Sequence, residues 1–210
     1  LTKWQMIVVL LALLFCAGIN ANNRNPFEVT RGCLQYNAKD GYMYGNPYYS
    51  TATFRNMRYS KSGVKSMRMG MVGRNDGFIR LTSARFPYNN IKVTEINLAS
   101  SGNAVSEARS FNQLDRNPNN RNNTVVYIRE PNVGLMSEFS PLMFTLEIDR
   151  RGNVRLIKDG ELEAFLEFRD QTLSSRYIGF SNWNVPVMYF YDCPLEYNDR
   201  ACDGRYHLLY

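Results

Sequence analysis

The run Leu142-Met143-Phe144-Thr145-Leu146-Glu147-Ile148-Asp149 constrains this chain more than any other stretch. Its even positions are all large and apolar, while its odd positions turn polar and then charged. An apolar residue at every second position matches the repeat of a half-buried strand and not that of a helix. Arg150-Arg151-Gly152-Asn153 reads as a turn into Val154-Arg155-Leu156-Ile157-Lys158. Asp159-Gly160 supplies a second turn toward Ala164-Phe165-Leu166-Glu167-Phe168, so the spacing predicts a three-strand meander.

The same signature recurs along most of the chain. Residues 64–72 place Met67, Met69 and Met71 on one face, and Gly77-Phe78-Ile79-Arg80-Leu81-Thr82 pairs Ile79 with Leu81 across an Asn75-Asp76-Gly77 turn. Residues 92–99 set Ile96 and Leu98 inward with Glu95 and Asn97 outward, and residues 104–111 and 124–129 predict two more strands. Residues 115–123 carry no hydrophobe and read as a solvated loop. Residues 177–183 and 186–193 are rich in β-branched and aromatic side chains, and Asn182, Asn184 and Pro186 punctuate the join, which predicts a terminal hairpin. No window shows an apolar stripe at helical spacing, and no internal repeat is present. The expectation is an all-β chain forming an antiparallel β-sandwich of jelly-roll type with about ten or more strands. With 210 residues, 44% of them hydrophobic, the chain can bury one such core.

Residues 1–21 have one charge, Lys3, an apolar run over residues 6–17 and small residues after it, the pattern of a secretory signal peptide cleaved after Gly18 or Ala21. The run is shorter than the roughly 20 residues of a membrane helix, so an extracellular protein with no stable membrane anchor is expected. Residues 22–41 read as a polar, Asn-rich arm, 42–193 as the sandwich domain and 194–210 as a tail. The formal charge of +6 becomes +5 without Lys3. It is scattered, densest at Arg55, Arg58, Lys61, Lys65 and Arg68, with no nucleic-acid motif beside it, so a nucleic-acid partner is not expected.

Export also decides how the cysteines are read. Cys16 leaves with the signal, and Cys33, Cys193 and Cys202 remain, giving at most one internal disulfide and one spare thiol. Cys33 paired with Cys193 or with Cys202 would clip the ends of the domain together, and a local Cys193–Cys202 loop is the alternative. The spare cysteine is buried or links a second chain in a disulfide-bonded dimer. The spacing matches no zinc pattern.

Catalytic residue types are scarce. His207, the single histidine, lies three residues from the end of the sequence; no Gly-x-Ser-x-Gly elbow accompanies it. Glu161 with Glu163, and Glu167 with Asp170, are spaced like solvated strand edges. Ser100-Ser101-Gly102-Asn103 is the nearest glycine turn after a strand, and one glycine cannot cradle a cofactor, so no catalytic residue, cofactor or metal is expected. Asn122-Asn123-Thr124 is an N-glycosylation sequon. The remaining candidates are aromatic: with the last two strands paired, Tyr177, Trp183, Tyr189 and Tyr191 share a face in which Gly179 leaves a gap. Such a face suits a sugar or a small apolar ligand. The plainer reading, preferred because aromatic stripes are usually core, covers it with the arm before Gly41 or with the opposite sheet.

The order of Asn75-Asp76-Gly77-Phe78-Ile79-Arg80-Leu81-Thr82, Thr94-Glu95-Ile96-Asn97-Leu98, Ser106-Glu107-Ala108-Arg109, residues 135–144, Gly152-Asn153-Val154-Arg155, Ala164-Phe165-Leu166 and Tyr177-Ile178-Gly179-Phe180-Ser181 resembles the farnesoic acid O-methyltransferase-like domain of secreted and cytosolic arthropod proteins. The resemblance spans roughly residues 42–193. It implies S-adenosylmethionine-dependent methylation of farnesoate in juvenile-hormone synthesis, chemistry for which the residues themselves show no glycine-rich strand-to-helix turn. The residues favour a secreted, non-catalytic binding or interaction module for an extracellular ligand or protein. The methyltransferase and a structural extracellular component are the alternatives.

Overall fold

A computed structural model of the protein describes residues 25–42 and 47–195. The expected signal segment, most of the tail, Cys202 and His207 lie outside the described residues. Thirteen strands run in chain order: β1 (Leu34–Ala38), β2 (Tyr48–Ser50), β3 (Arg58–Tyr59), β4 (Lys65–Gly73), β5 (Gly77–Thr82), β6 (Ile91–Ala99), β7 (Val105–Gln113), β8 (Arg121–Pro131), β9 (Leu142–Ile148), β10 (Asn153–Lys158), β11 (Ala164–Arg169), β12 (Tyr177–Asn182) and β13 (Val187–Cys193). Two sheets form. A seven-stranded sheet has the order β1-β13-β4-β9-β10-β11 with β3 on β4, and a six-stranded sheet has the order β2-β12-β5-β6-β7-β8. Every pairing is antiparallel, and the result is a β-sandwich of jelly-roll type.

Alternation builds the interior. Met67, Met69 and Met71 on β4 stand opposite Leu146, Phe144 and Leu142 on β9, and Leu156 on β10 meets Leu146 from the other side. Across the sandwich, β5, β6 and β12 contribute Ile79, Leu81, Ile96, Leu98, Ile178 and Phe180 to the same buried cluster. Removing each such side chain from water stabilises the fold by about 1.5–3 kcal/mol. The expected meander is present as β9-β10-β11. Its first turn is held by Asp149, whose Oδ1 accepts from the Arg151 and Asn153 backbone N–H groups at 2.7 and 2.9 Å. Gly152 sits in that turn at φ +79°, and a Cβ there would meet the Asp170 carbonyl oxygen at 2.1 Å. Gly152→Ala is therefore expected to cost about 2 kcal/mol or more, from left-handed backbone strain plus a clash with main chain. A urea midpoint equal to wild type would contradict this.

Two expectations are corrected. Residues 177–193 are not a hairpin: β12 lies between β2 and β5 in one sheet, and β13 lies between β1 and β4 in the other. The connection after Asn182 arches from sheet to sheet, tied by Asn182 Nδ2 donating to the Val185 carbonyl at 2.8 Å. Both strands are interior to their sheets, which is why neither run has a wholly polar face. Asn122 and Asn123 also belong to a strand and not to a loop, since β8 begins at Arg121 and pairs Asn122 with Asn112 of β7. An edge strand is recruited by its neighbour's open N–H and C=O groups and needs no apolar side chain for that. Residues read as the arm supply a short 3₁₀ turn, Pro26–Thr30, and β1. A disulfide joins Cys33 to Cys193, with 4.1 Å between their Cα atoms. The odd cysteine beyond the expected signal is thus Cys202. Among the described residues no helix is long and apolar enough to cross a membrane.

Candidate functional site

The inner face of the six-stranded sheet is occupied by the core, so its outer face is where charge has to be accommodated. Register aligns Gly179 of β12 with Arg80 of β5, Arg80 with Glu95 of β6, and Glu95 with Arg109 of β7, one row across four strands. Arg80 Nε donates to Glu95 Oε2 at 2.7 Å, and Arg109 donates to Glu95 Oε1 through Nε and Nη2 at 2.9 and 2.7 Å. Glu95 is fully buried. Burial works to raise its pKa, but the two guanidiniums outweigh it and hold the carboxyl below its ordinary value.

Tyr42 closes this cluster from outside. Its hydroxyl donates to Glu95 Oε2 at 2.9 Å and accepts from Arg121 Nη1 at 2.9 Å. The Arg80 guanidinium lies 4.4 Å from its ring centroid. Burial, then the Glu95 charge, pushes the Tyr42 phenol above its usual value. The ring also packs edge-on to Phe78 at 4.8 Å and against Trp183 at 5.2 Å. Gly41 is anchored here too, as its N–H donates to Asn182 Oδ1 at 3.0 Å. Residues 41 and 42 thus cover the middle of the face and leave Trp183 at its border, 46% exposed.

Beside Tyr42 runs a groove of about 530 Å³, lined among others by Asp76, Asn97, Glu107, Arg109, Arg129 and Trp183. Asn97 is 6% exposed, and its Oδ1 is buried without a hydrogen-bond donor. Burial pushes the Asp76 carboxyl above its ordinary value. Glu107 pairs with Arg109 Nη1 at 3.1 Å. The groove therefore offers one exposed indole, hydrogen-bond acceptors and the three guanidiniums of Arg109, Arg121 and Arg129. Among the described residues no cluster of three or more His, Cys, Asp or Glu could hold a metal.

The five aromatic-face candidates do not lie together. Tyr189 and Tyr191 point into the sandwich, where Tyr189 stacks on Phe180 at 4.7 Å and Tyr191 packs against it at 5.3 Å. They share the inward parity of Val187 on β13, and β13 belongs to the opposite sheet, so neither can share a face with Trp183. Gly179 is on the outer face, but the Tyr48 ring lies over it, and a Cβ would come within 2.8 Å of that ring. Tyr177 is half-buried at the far end of β12, lining a different cavity. Only Trp183 reaches the groove. Asn122 is exposed on the edge strand. Alternation alone left Tyr42, Asp76, Asn97 and Arg109 outside the candidate set; for Asn97 and Arg109 the signal is the polar and charged side chains at the outward positions of β6 and β7.

A family model described as "Farnesoic acid 0-methyl transferase" matches residues 42–195. Among curated proteins none matches the chain significantly. Similar solved structures include a galectin of Caenorhabditis elegans, 10% identical, covering 75% of this chain and 94% of its own with a TM-score of 0.43. A Bacillus licheniformis β-glucanase is 12% identical, covering 82% of this chain and 97% of its own with a TM-score of 0.39.

Proposed function

The chain belongs to the farnesoic acid O-methyltransferase family, and on that premise we propose that it is a secreted, non-catalytic binding module whose ligand is a saccharide held in the groove beside Trp183. The observation that carries this reading is an exposed indole sharing one groove with the polar side chains of Asp76, Asn97 and Arg109. A pyranose presents an apolar C–H face for an indole to stack on and hydroxyl groups at its rim. Asn97, which lines the same groove, supplies amide chemistry for those hydroxyls. Asp76 and Arg109 are placed to accept and donate at neighbouring positions.

The family's name implies S-adenosylmethionine, and the described residues do not fit it. All their strand pairings are antiparallel, and the four-residue helix Ser100–Asn103 is interrupted by left-handed Ser101 and Gly102. Neither a crevice between parallel strands nor a helix N-terminus is present to take that cofactor. The Cys33–Cys193 bond and the Asn122 sequon suit an oxidising, extracellular setting.

Trp183→Ala is expected to weaken glycan binding roughly thirtyfold, the size of a 2 kcal/mol contact, while keeping the cooperative urea unfolding of wild type because the side chain is half-exposed. A glycan array read with both proteins checks this. No glycan above background, or equal binding by the variant, overturns the saccharide reading; transfer of labelled methyl from S-adenosylmethionine to farnesoate by purified protein would replace it with an enzyme.

A further inference from the structure

Lys65, at the start of β4 on its inward face, is 9% exposed. Its Nζ donates to Thr51 Oγ1 at 3.1 Å, to the Ser175 carbonyl at 2.8 Å and to Ser175 Oγ at 3.0 Å, all neutral oxygens. The other two buried cations among the described residues have carboxylates: Arg80 has Glu95 and Arg68 has Asp159. A buried charge without a counter-charge is costly, and burial pushes the Lys65 ammonium down to about 8.

The cavity beside it, of about 580 Å³, shares no residue with the Trp183 groove. Its lining includes Lys65, Arg176, Ser174, Ser175 and Thr51, and no Asp or Glu. The titratable groups around Lys65 are Tyr59 from β3, Tyr177 from β12 and Arg176 from the preceding loop. We propose that this cavity binds a tetrahedral oxyanion, a phosphate or sulfate group, whose charge is the counter-ion Lys65 lacks.

The roles divide by chemistry. All three Lys65 N–H bonds are engaged, so the ammonium acts as a fixed positive charge behind the hydroxyls rather than as a direct donor. Ser175 Oγ accepts from Lys65 and so keeps its own proton to give. Arg176 presents the planar donor pair that suits two oxygens of one anion. The cavity is larger than an inorganic ion needs, so it has room for a free oxyanion or for one esterified on a sugar-sized group, and the two are separable by experiment.

The test uses the mature protein with ¹³C-labelled lysine, titrated with sodium sulfate and with galactose 6-sulfate, against sodium chloride at equal ionic strength. Saturating sulfate is expected to raise the Lys65 pKa by about one unit, because an adjacent anion favours the charged form. By linkage the affinity then falls about tenfold as pH rises through that pKa. Lys65→Met is expected to lose at least tenfold in sulfate affinity. A Lys65 titration identical in sulfate and chloride overturns the proposal without relying on the variant's folding, as does equal sulfate binding by Lys65→Met. Galactose 6-sulfate binding tenfold tighter than sulfate identifies a sugar ester as the natural form; equal affinities identify the free ion.

Discussion

Replacing Glu95 by alanine is expected to lower the unfolding free energy by about 3–5 kcal/mol, one of the two largest single effects in this protein. Removing the carboxylate strands Arg80, 4% exposed, and takes one partner each from Arg109 and the Tyr42 hydroxyl. The cost comes from the guanidinium left buried, more than from lost attraction. Glu95→Gln keeps the volume and one acceptor and should cost less. The pH dependence follows from the depressed carboxyl. A group whose folded pKa lies below its unfolded value stabilises fully above the unfolded value and loses that contribution as pH falls through the folded one. Wild type should therefore lose stability on acidification below about pH 4.5, and Glu95→Gln should lack that part of the slope. Urea midpoints from pH 7 to pH 3 measure both; parallel acid profiles for the two proteins would contradict the buried cluster.

The second large effect belongs to the disulfide. Cys33 and Cys193 are 160 residues apart in sequence, and closing so long a loop reduces the freedom of the unfolded chain by an amount worth up to about 5 kcal/mol. Because Cys193 is fully buried beside Phe190 and Met143, a double change to alanine leaves a small void as well. For a domain of this size a loss of about 3–5 kcal/mol lowers Tm by roughly 10–15 °C. Thermal melts of Cys33→Ala/Cys193→Ala against oxidised wild type test it. A shift of only a degree or two would show that the β1–β13 ladder alone holds the ends together.

Strand existence was legible because it depends on which side of a ribbon each residue takes. Met67, Met69 and Met71, or Ile96 and Leu98, declare an inner face wherever the ribbon goes. Sheet membership depends on which ribbons meet, and alternation does not encode it. Residues 177–193 therefore read as a hairpin, although Phe180 and Tyr189 face each other across the core. The same blindness scattered the candidate site: Trp183 is on the groove, while Tyr189 and Tyr191, two and four places into the next strand's inner face, are core. Glu95 and Asn97 were placed on the outer face correctly, but alternation equates outward with solvated. Only the three-dimensional structure shows Tyr42 lying over that face and burying them. Cysteine pairing behaves likewise: three thiols leave three partnerships open, and the hydrogen-bonded neighbours β1 and β13 select one.

The Cys33–Cys193 bond also determines how the domain responds to mechanical load. Tension arriving along the chain before Cys33 and leaving along the chain after Cys193 passes through a covalent shunt between two adjacent strands. The residues between them, including the Trp183 groove and the Lys65 cavity, stay outside the line of force. With that bond intact the domain can be pulled taut as one link while the groove and the cavity keep their shape.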